Sequence, residues 1–217
     1  MSLDYLKGSK SYKVICFLAR KHGLNALEAL ISSKVYRIEC VFTHALNPKS
    51  EDPMRSARCD FEHFVKLAKD NNIPLFTVDS VEDGKQIDTV FDSINDLDFI
   101  VSVSWRRLIL KKHLDVARFG GVNLHRGKLP DYSGAEPIKQ AINNGEKSIC
   151  ITSHVMTELI DSGEIIALAN YSFEYNKNET IETNISHIKE NITELFGPLL
   201  IDSLNQLASR QNERDKN

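Results

Sequence analysis

The apolar positions of this chain follow two rhythms that alternate. Nearly continuous apolar runs occur at 13–19, 37–43, 74–78 and 99–104, the pattern of strands covered on both faces. Between them, Leu24, Leu27 and Ile31, then Phe61, Phe64, Val65 and Ala68, then Ile87, Val90, Phe91 and Ile94 step at helical spacing. Strand, helix, strand in this order requires parallel crossovers, so the first half predicts an open α/β sheet. The stretch 44–58 breaks the alternation. It is polar, contains Pro48 and Pro53, and reads as a long loop of the kind that often carries function.

The second half adds a short fifth strand, 122–124, and a helix starting near Ala135. Two more strands, 149–156 and 164–171, are linked so briefly that an antiparallel pair is possible. From 178 onward Ile181, Ile185, Ile188, Ile192 and Leu195 mark one helix face. Gly197-Pro198 interrupts it before Leu199, Leu200, Leu204 and Leu207. That stripe could suit a coiled-coil partner, but the run is short and packing on its own sheet is favoured. The expected organisation is a flexible segment 1–12, one domain over 13–208, and a disordered polar tail 209–217.

Composition narrows the classes. With 217 residues and 41% hydrophobic content, one substantial core can form. A net charge of -3 and a pI near 6.2 argue against a surface built mainly for nucleic acid. No apolar run reaches the length of a membrane helix, and the polar N-terminus lacks a signal-peptide core. The four cysteines form no C-x-x-C pair, so a reduced cytoplasm is the expected location. Neither a G-x-G-x-x-G nor a P-loop sequence is present, which removes the main support for a dehydrogenase or a nucleotide triphosphatase.

The candidate chemistry lies between Gly120 and Gly163. Asn123 and His125, two residues apart, share one side of the fifth strand, and Asp161 sits in an acidic turn, Asp161-Ser162-Gly163. If the fifth and sixth strands are neighbours, all three meet. An amide, an imidazole and a carboxylate suit acyl transfer to an amine: oxyanion stabilisation, proton transfer and orientation of the imidazole. Taken singly, each has a plainer role, as a loop histidine or as turn and strand-end residues. A metal site from His125, His154 and Asp161 matches no zinc spacing, and no metal is expected. Cys150 and Ser153 sit in no known nucleophile context and read as sheet residues. Arg20 and Lys21 precede a helix N-terminus, a place that favours anions.

These residues resemble the folate-dependent formyltransferases, the family of glycinamide ribonucleotide, methionyl-tRNA and sugar N-formyltransferases. The likeness rests on Asn123-Leu124-His125, on Leu129-Pro130-x-Tyr132-x-Gly134, and on Ile160-Asp161-Ser162-Gly163. The stretch from Gly134 to Ile142 looks most like the tRNA-formylating branch. The resemblance implies a Rossmann-like, mostly parallel sheet with helices on both faces, and 10-formyltetrahydrofolate as formyl donor. It implies a catalytic set of Asn123, His125 and Asp161. Trp105, Arg106, Arg107, Leu108 and Ile109 would form one wall of the pterin pocket, and Thr157, Glu158, Leu159 and Ile160 the other.

Two departures bear on the acceptor. Where family members carry Pro-Ser-Leu-Leu or Gly-Ser-Leu-Leu after the histidine, this chain has Arg126-Gly127-Lys128-Leu129. The glycine-rich phosphate loop of glycinamide-type members is replaced by Ala19-Arg20-Lys21-His22-Gly23. Arg20, Lys21, Arg126 and Lys128 are therefore the candidate acceptor-binding residues. The acceptor is expected to be a small amine, an amino sugar nucleotide or glycinamide ribonucleotide among the options. The chain corresponds to the catalytic domain of the tRNA enzymes without their C-terminal domain, so tRNA is not an expected partner; a homodimer is possible. The alternatives are a 10-formyltetrahydrofolate hydrolase and a non-catalytic folate-binding protein.

Overall fold

The computed structural model describes residues 11–214, with side chains described to Arg210. The element order is β1 (Tyr12–Leu18), α1 (Arg20–Ser33), β2 (Tyr36–Thr43), α2 (Phe61–Asp70), β3 (Leu75–Thr77), α3 (Lys85–Ser93) and β4 (Phe99–Val103). There follow α4 (Lys111–Leu114), β5 (Gly121–His125), α5 (Pro137–Asn143), β6 (Ser148–Val155), β7 (Ile165–Ser172), α6 (Ile181–Asn191) and α7 (Phe196–Arg214). The strands form one seven-stranded sheet in the order β3-β2-β1-β4-β5-β6-β7. The first five run parallel, while β6 is antiparallel to β5 and β7 to β6. This is a Rossmann-like α/β fold.

The buried strands explain the continuous apolar runs. In β1, Val14, Cys16 and Leu18 face one core with α1 and α7, whereas Ile15 and Phe17 face a second core with Phe91 of α3. Both faces are covered, so no polar position interrupts the strand. Phe17 anchors the second core, stacking on Phe42 with ring centroids 5.0 Å apart. At the other end of the sheet the pattern changes. From Ala167 onward β7 alternates between half-buried and exposed positions, and Leu168 is 51% exposed. Period two returns where one face of the sheet loses its helical cover.

Two expectations about the C-terminal region are corrected. Gly197 and Pro198 do not separate two helices; they lie in the first turn of α7, where proline's missing N–H costs nothing. Residues 209–214 continue α7 rather than forming part of a disordered tail. The expectations for 1–10 and 215–217 lie outside the described residues. The 44–58 stretch is an ordered loop pinned at its base. The buried Arg58 binds Asp60 and donates to the His44 carbonyl (2.6 Å), and Asp79 accepts the amides of Ala45 (2.9 Å) and Leu46 (3.2 Å).

Two buried histidines make the fold acid-sensitive. His22 lies flat on Phe196 (4.3 Å), and His44 on Trp105 (4.1 Å). Burial, helped by Arg126 and Lys189, lowers His22 to about 3; burial and Arg106 lower His44 to about 4. Both folded values lie below the unfolded 6.5, so protonation favours the unfolded chain. Stability is complete above pH 6.5 and falls between there and about pH 4, by about 1.4 kcal/mol per pH unit for each group. Denaturant titrations across this range should show that slope, and His22→Gln should flatten it.

Candidate active site

β5 owes its polar residues to its place in the sheet. Val122 and Leu124 point into the α1/α7 core, so Asn123 and His125 must point to the opposite face. The antiparallel register sets His154 of β6 directly across from Asn123, and cross-strand partners share a face. Asn123, His125 and His154 thus form a polar patch, with His125 and His154 only 8% and 3% exposed.

Asp161 arrives by a different route. The β6–β7 connection leaves the sheet beside the start of β5, where the Met156 amide donates to the Gly121 carbonyl (2.7 Å). It then folds back over the sheet face toward His154 and His125. Two features permit this path. Asp161 adopts a left-handed backbone, φ 52, and Gly163 packs so closely that a Cβ there would lie 1.8 Å from the Val155 oxygen. The Asp161 side chain ends up 7% exposed.

The polar groups interlock. Asn123 Nδ2 donates to His154 Nε2 (3.0 Å), and His154 Nδ1 donates to the Val155 carbonyl (3.0 Å). His125 Nε2 donates to the Tyr132 carbonyl at 2.6 Å. That bond assigns the proton of the neutral imidazole to Nε2, so Nδ1 turns its lone pair toward Asp161 Oδ2, 3.3 Å away. Asp161 Oδ1 lies 3.5 Å from His154 Nε2, and Oδ2 accepts the Gly134 amide at 2.9 Å.

The charges follow. Burial pulls His125 below the ordinary imidazole value, outweighing the Tyr132 carbonyl and Asp161, which favour the cation. Burial pushes Asp161 up, but His154, the Gly134 amide and His125 together hold it below the usual carboxylate range. The site therefore pairs a carboxylate with a neutral imidazole across a gap that one proton would close. The described residues hold no group of three or more His, Cys, Asp or Glu side chains placed to bind a metal ion.

The other sequence-derived candidates divide. Trp105 packs edge-on against Phe17 (5.2 Å) and stacks on His44, and its indole N–H is buried without a partner. Arg106 turns away toward the 44–58 loop, donating to the Leu46 carbonyl and to Asp79, both at 3.0 Å. Ile109 is buried in the second core, whereas Leu108 is 65% exposed. In the 157–160 segment, Leu159 and Ile160 are 72% and 67% exposed, and Thr157 binds the turn through Ser162 (2.9 Å). Each of the two loops thus presents apolar surface to solvent.

Among the cations, Lys128 pairs with Asp131 (2.9 Å) and Lys21 with Glu190 (3.1 Å), both on the surface. Arg20 pairs with Glu51, while no described residue hydrogen-bonds the guanidinium of the half-buried Arg126. Arg126, Gly127, Lys128 and Tyr132 border a cavity of about 240 Å³. Cys150 also lines it and Ser153 is fully buried in β6, consistent with sheet residues. From the sequence alone His154 stands out only as a possible metal ligand. Its cross-strand link to Asn123 depends on a register that no local pattern encodes.

The family model "Formyl transferase" matches residues 14–195. The chain belongs to the formyl transferase family. It is 27% identical over 204 residues to a methionyl-tRNA formyltransferase of Clostridium tetani, covering 94% of this chain and 62% of that protein. A methionyl-tRNA formyltransferase of Clostridium acetobutylicum is 30% identical over 154 residues, 71% of this chain and 47% of that protein. The chain thus spans about half to three-fifths of these relatives. Among solved structures, a phosphoribosylglycinamide formyltransferase from Bacillus halodurans superposes with a TM-score of 0.66 at 24% identity, covering 92% of this chain and 96% of that one. A formyltetrahydrofolate deformylase from Pseudomonas syringae gives 0.68 at 21% identity, covering 93% and 63%. At such identities these structures bear on the fold alone.

Proposed function

We propose that this formyl transferase domain moves a formyl group from 10-formyltetrahydrofolate to the primary amine of a small anionic acceptor. The observation that carries the reading is the pairing of neutral His125 with the Asp161 carboxylate beside the Asn123 amide. The amine attacks the formyl carbon. Asn123 has one amide hydrogen committed to His154, which leaves the other to donate to the developing oxyanion. His154 is a positioning residue in this account, because it fixes which way that amide points.

The proton released by the amine enters the gap between His125 Nδ1 and Asp161. The imidazolium so formed is held from both sides, by the carboxylate and by the Tyr132 carbonyl. It then protonates the departing folate nitrogen, which restores neutral His125. The folate ring would rest between the loop 105–109 and the segment 157–160, covering Leu108, Leu159 and Ile160. Binding by a rigid ring would remove that apolar surface from water.

The anionic acceptor is argued from Arg126. A half-buried guanidinium without a hydrogen-bonding partner is costly unless a ligand anion completes it. Mass spectrometry of reactions containing 10-formyltetrahydrofolate and matched amines, neutral and phosphorylated, tests the reading. Formylated product should accumulate fastest from the phosphorylated amines. No formylated amine from any of them, with the folate released only as formate and tetrahydrofolate, would mean a deformylase instead.

A further inference from the structure

Three cations converge beyond the ends of β1 and β5. Arg20 opens α1, Arg126 follows β5 directly, and Lys189 lies in the last turn of α6. Lys21 of α1 pairs with Glu190 in the last turn of α6 (3.1 Å), and just past α6 Thr193 bonds His22 (3.0 Å) and Glu194 bonds Asn25 (3.3 Å), so α1 and the end of α6 are tied together. Neither the Arg126 guanidinium nor the Lys189 ammonium has a hydrogen-bonding partner among the described residues. Burial and then Arg20 disfavour the charge of Arg126, and burial and then Arg126 and Arg20 disfavour that of Lys189.

One carboxylate offsets this repulsion. Glu51, at the tip of the 44–58 loop, pairs with Arg20 and acts favourably on both Arg126 and Lys189. Glu136 acts in the same sense on Lys189 alone, and Glu190 is committed to Lys21. The tip is a self-contained turn: the amides of Glu51 and Asp52 donate to the Pro48 carbonyl, and Arg55 to Asp52. It stands 56% exposed at the Glu51 side chain, on a loop whose base is fixed by Arg58 and Asp79. Nothing in the packing of the tip requires a carboxylate there; the cations do.

We propose that Glu51 is a built-in competitor for the acceptor's anionic group, filling the corner of Arg20, Arg126 and Lys189 until that group exchanges with it. The inference rests on the anionic-acceptor reading above and deepens it. Glu51 makes the site selective. A weakly charged ligand does not displace a tethered carboxylate, whereas a phosphate dianion carries enough charge to take its place. The loop tip, freed from Arg20, then follows the ligand rather than blocking it.

Titration calorimetry with inorganic phosphate on the whole chain, as wild type, Glu51→Gln and Arg126→Gln, tests this. Glu51→Gln should bind phosphate about tenfold more tightly than wild type, because the competitor is gone while its shape is kept. Arg126→Gln should lose most of the binding. Equal or weaker binding by Glu51→Gln, with binding still lost in Arg126→Gln, overturns the competitor role and leaves the anion site standing. Binding by neither wild type nor Glu51→Gln overturns both. Glu51 is exposed, so an unchanged melting temperature should confirm that the variant is folded.

Discussion

Replacing His125 with alanine is expected to lower formyl transfer by about 10²–10⁴-fold, the usual range for a positioned acid–base group. The reason is geometric. Nδ1 faces Asp161 at 3.3 Å and Nε2 is spent on the Tyr132 carbonyl, so the imidazole supplies one side of the gap into which the amine's proton goes. Asp161→Asn should produce a loss of similar size, since the neutral amide cannot hold an imidazolium. The two losses should not multiply in the double variant, because both remove the same proton-binding gap. Folate binding, measured by quenching of Trp105, should survive in all three. The wild-type rate should fall in acid only below the ordinary imidazole value of 6.5, since His125 resists protonation. A rate unaffected by either single substitution would remove the imidazole from the mechanism.

Alanine at Gly163 is expected to have the second-largest effect, through position rather than chemistry. The added methyl would stand 1.8 Å from the Val155 oxygen and 2.8 Å from its carbonyl carbon, both backbone atoms that cannot swing aside. The β6–β7 connection must therefore shift, carrying Asp161 with it. Overpacking of this kind costs about 1–3 kcal/mol of stability. Displacing a catalytic carboxylate by an ångström costs about 10²-fold in rate. Gly84→Ala is the control, since a Cβ there meets nothing within 4 Å. Retained activity in Gly163→Ala would show that the loop's path over the sheet is not what places Asp161.

Much of this architecture is legible in the sequence because it depends on local periodicity. β1, β2 and β4 announce themselves by their long buried runs, and the three helices between the first four strands by one covered face. The polar pair Asn123 and His125 is legible for the complementary reason: alternate residues of a strand must share a side. What stays hidden depends on distant pairing. His154 becomes part of the site only through the register of β6 against β5. Asp161 joins it only because a connection leaving at the far end of β5 doubles back. Arg106 belongs by sequence to a ligand loop, yet Asp79, 27 residues earlier, claims it. Gly197 and Pro198 show the converse: breakers by type, they cause no break because they fall in a helix's first turn.

The proposed acceptor corner is half legible. Arg20 and Arg126 stand out as charges in unusual places, and Lys21 and Lys128 look equivalent to them in one dimension. Their surface partners, Glu190 and Asp131, mark the last two as ordinary ion pairs. Lys189 and Glu51 take their place only once α6 and the 44–58 loop are brought to the same corner.

The most direct test follows the formyl carbon itself. Isotopically labelled 10-formyltetrahydrofolate would be mixed with the protein and a phosphorylated primary amine, and the label followed by NMR. The label should move to the amine as a formamide, and Asp161→Asn should stop the transfer. Label appearing as formate at the same rate with or without the amine, or leaving the folate equally fast in Asp161→Asn, would contradict the proposed transfer.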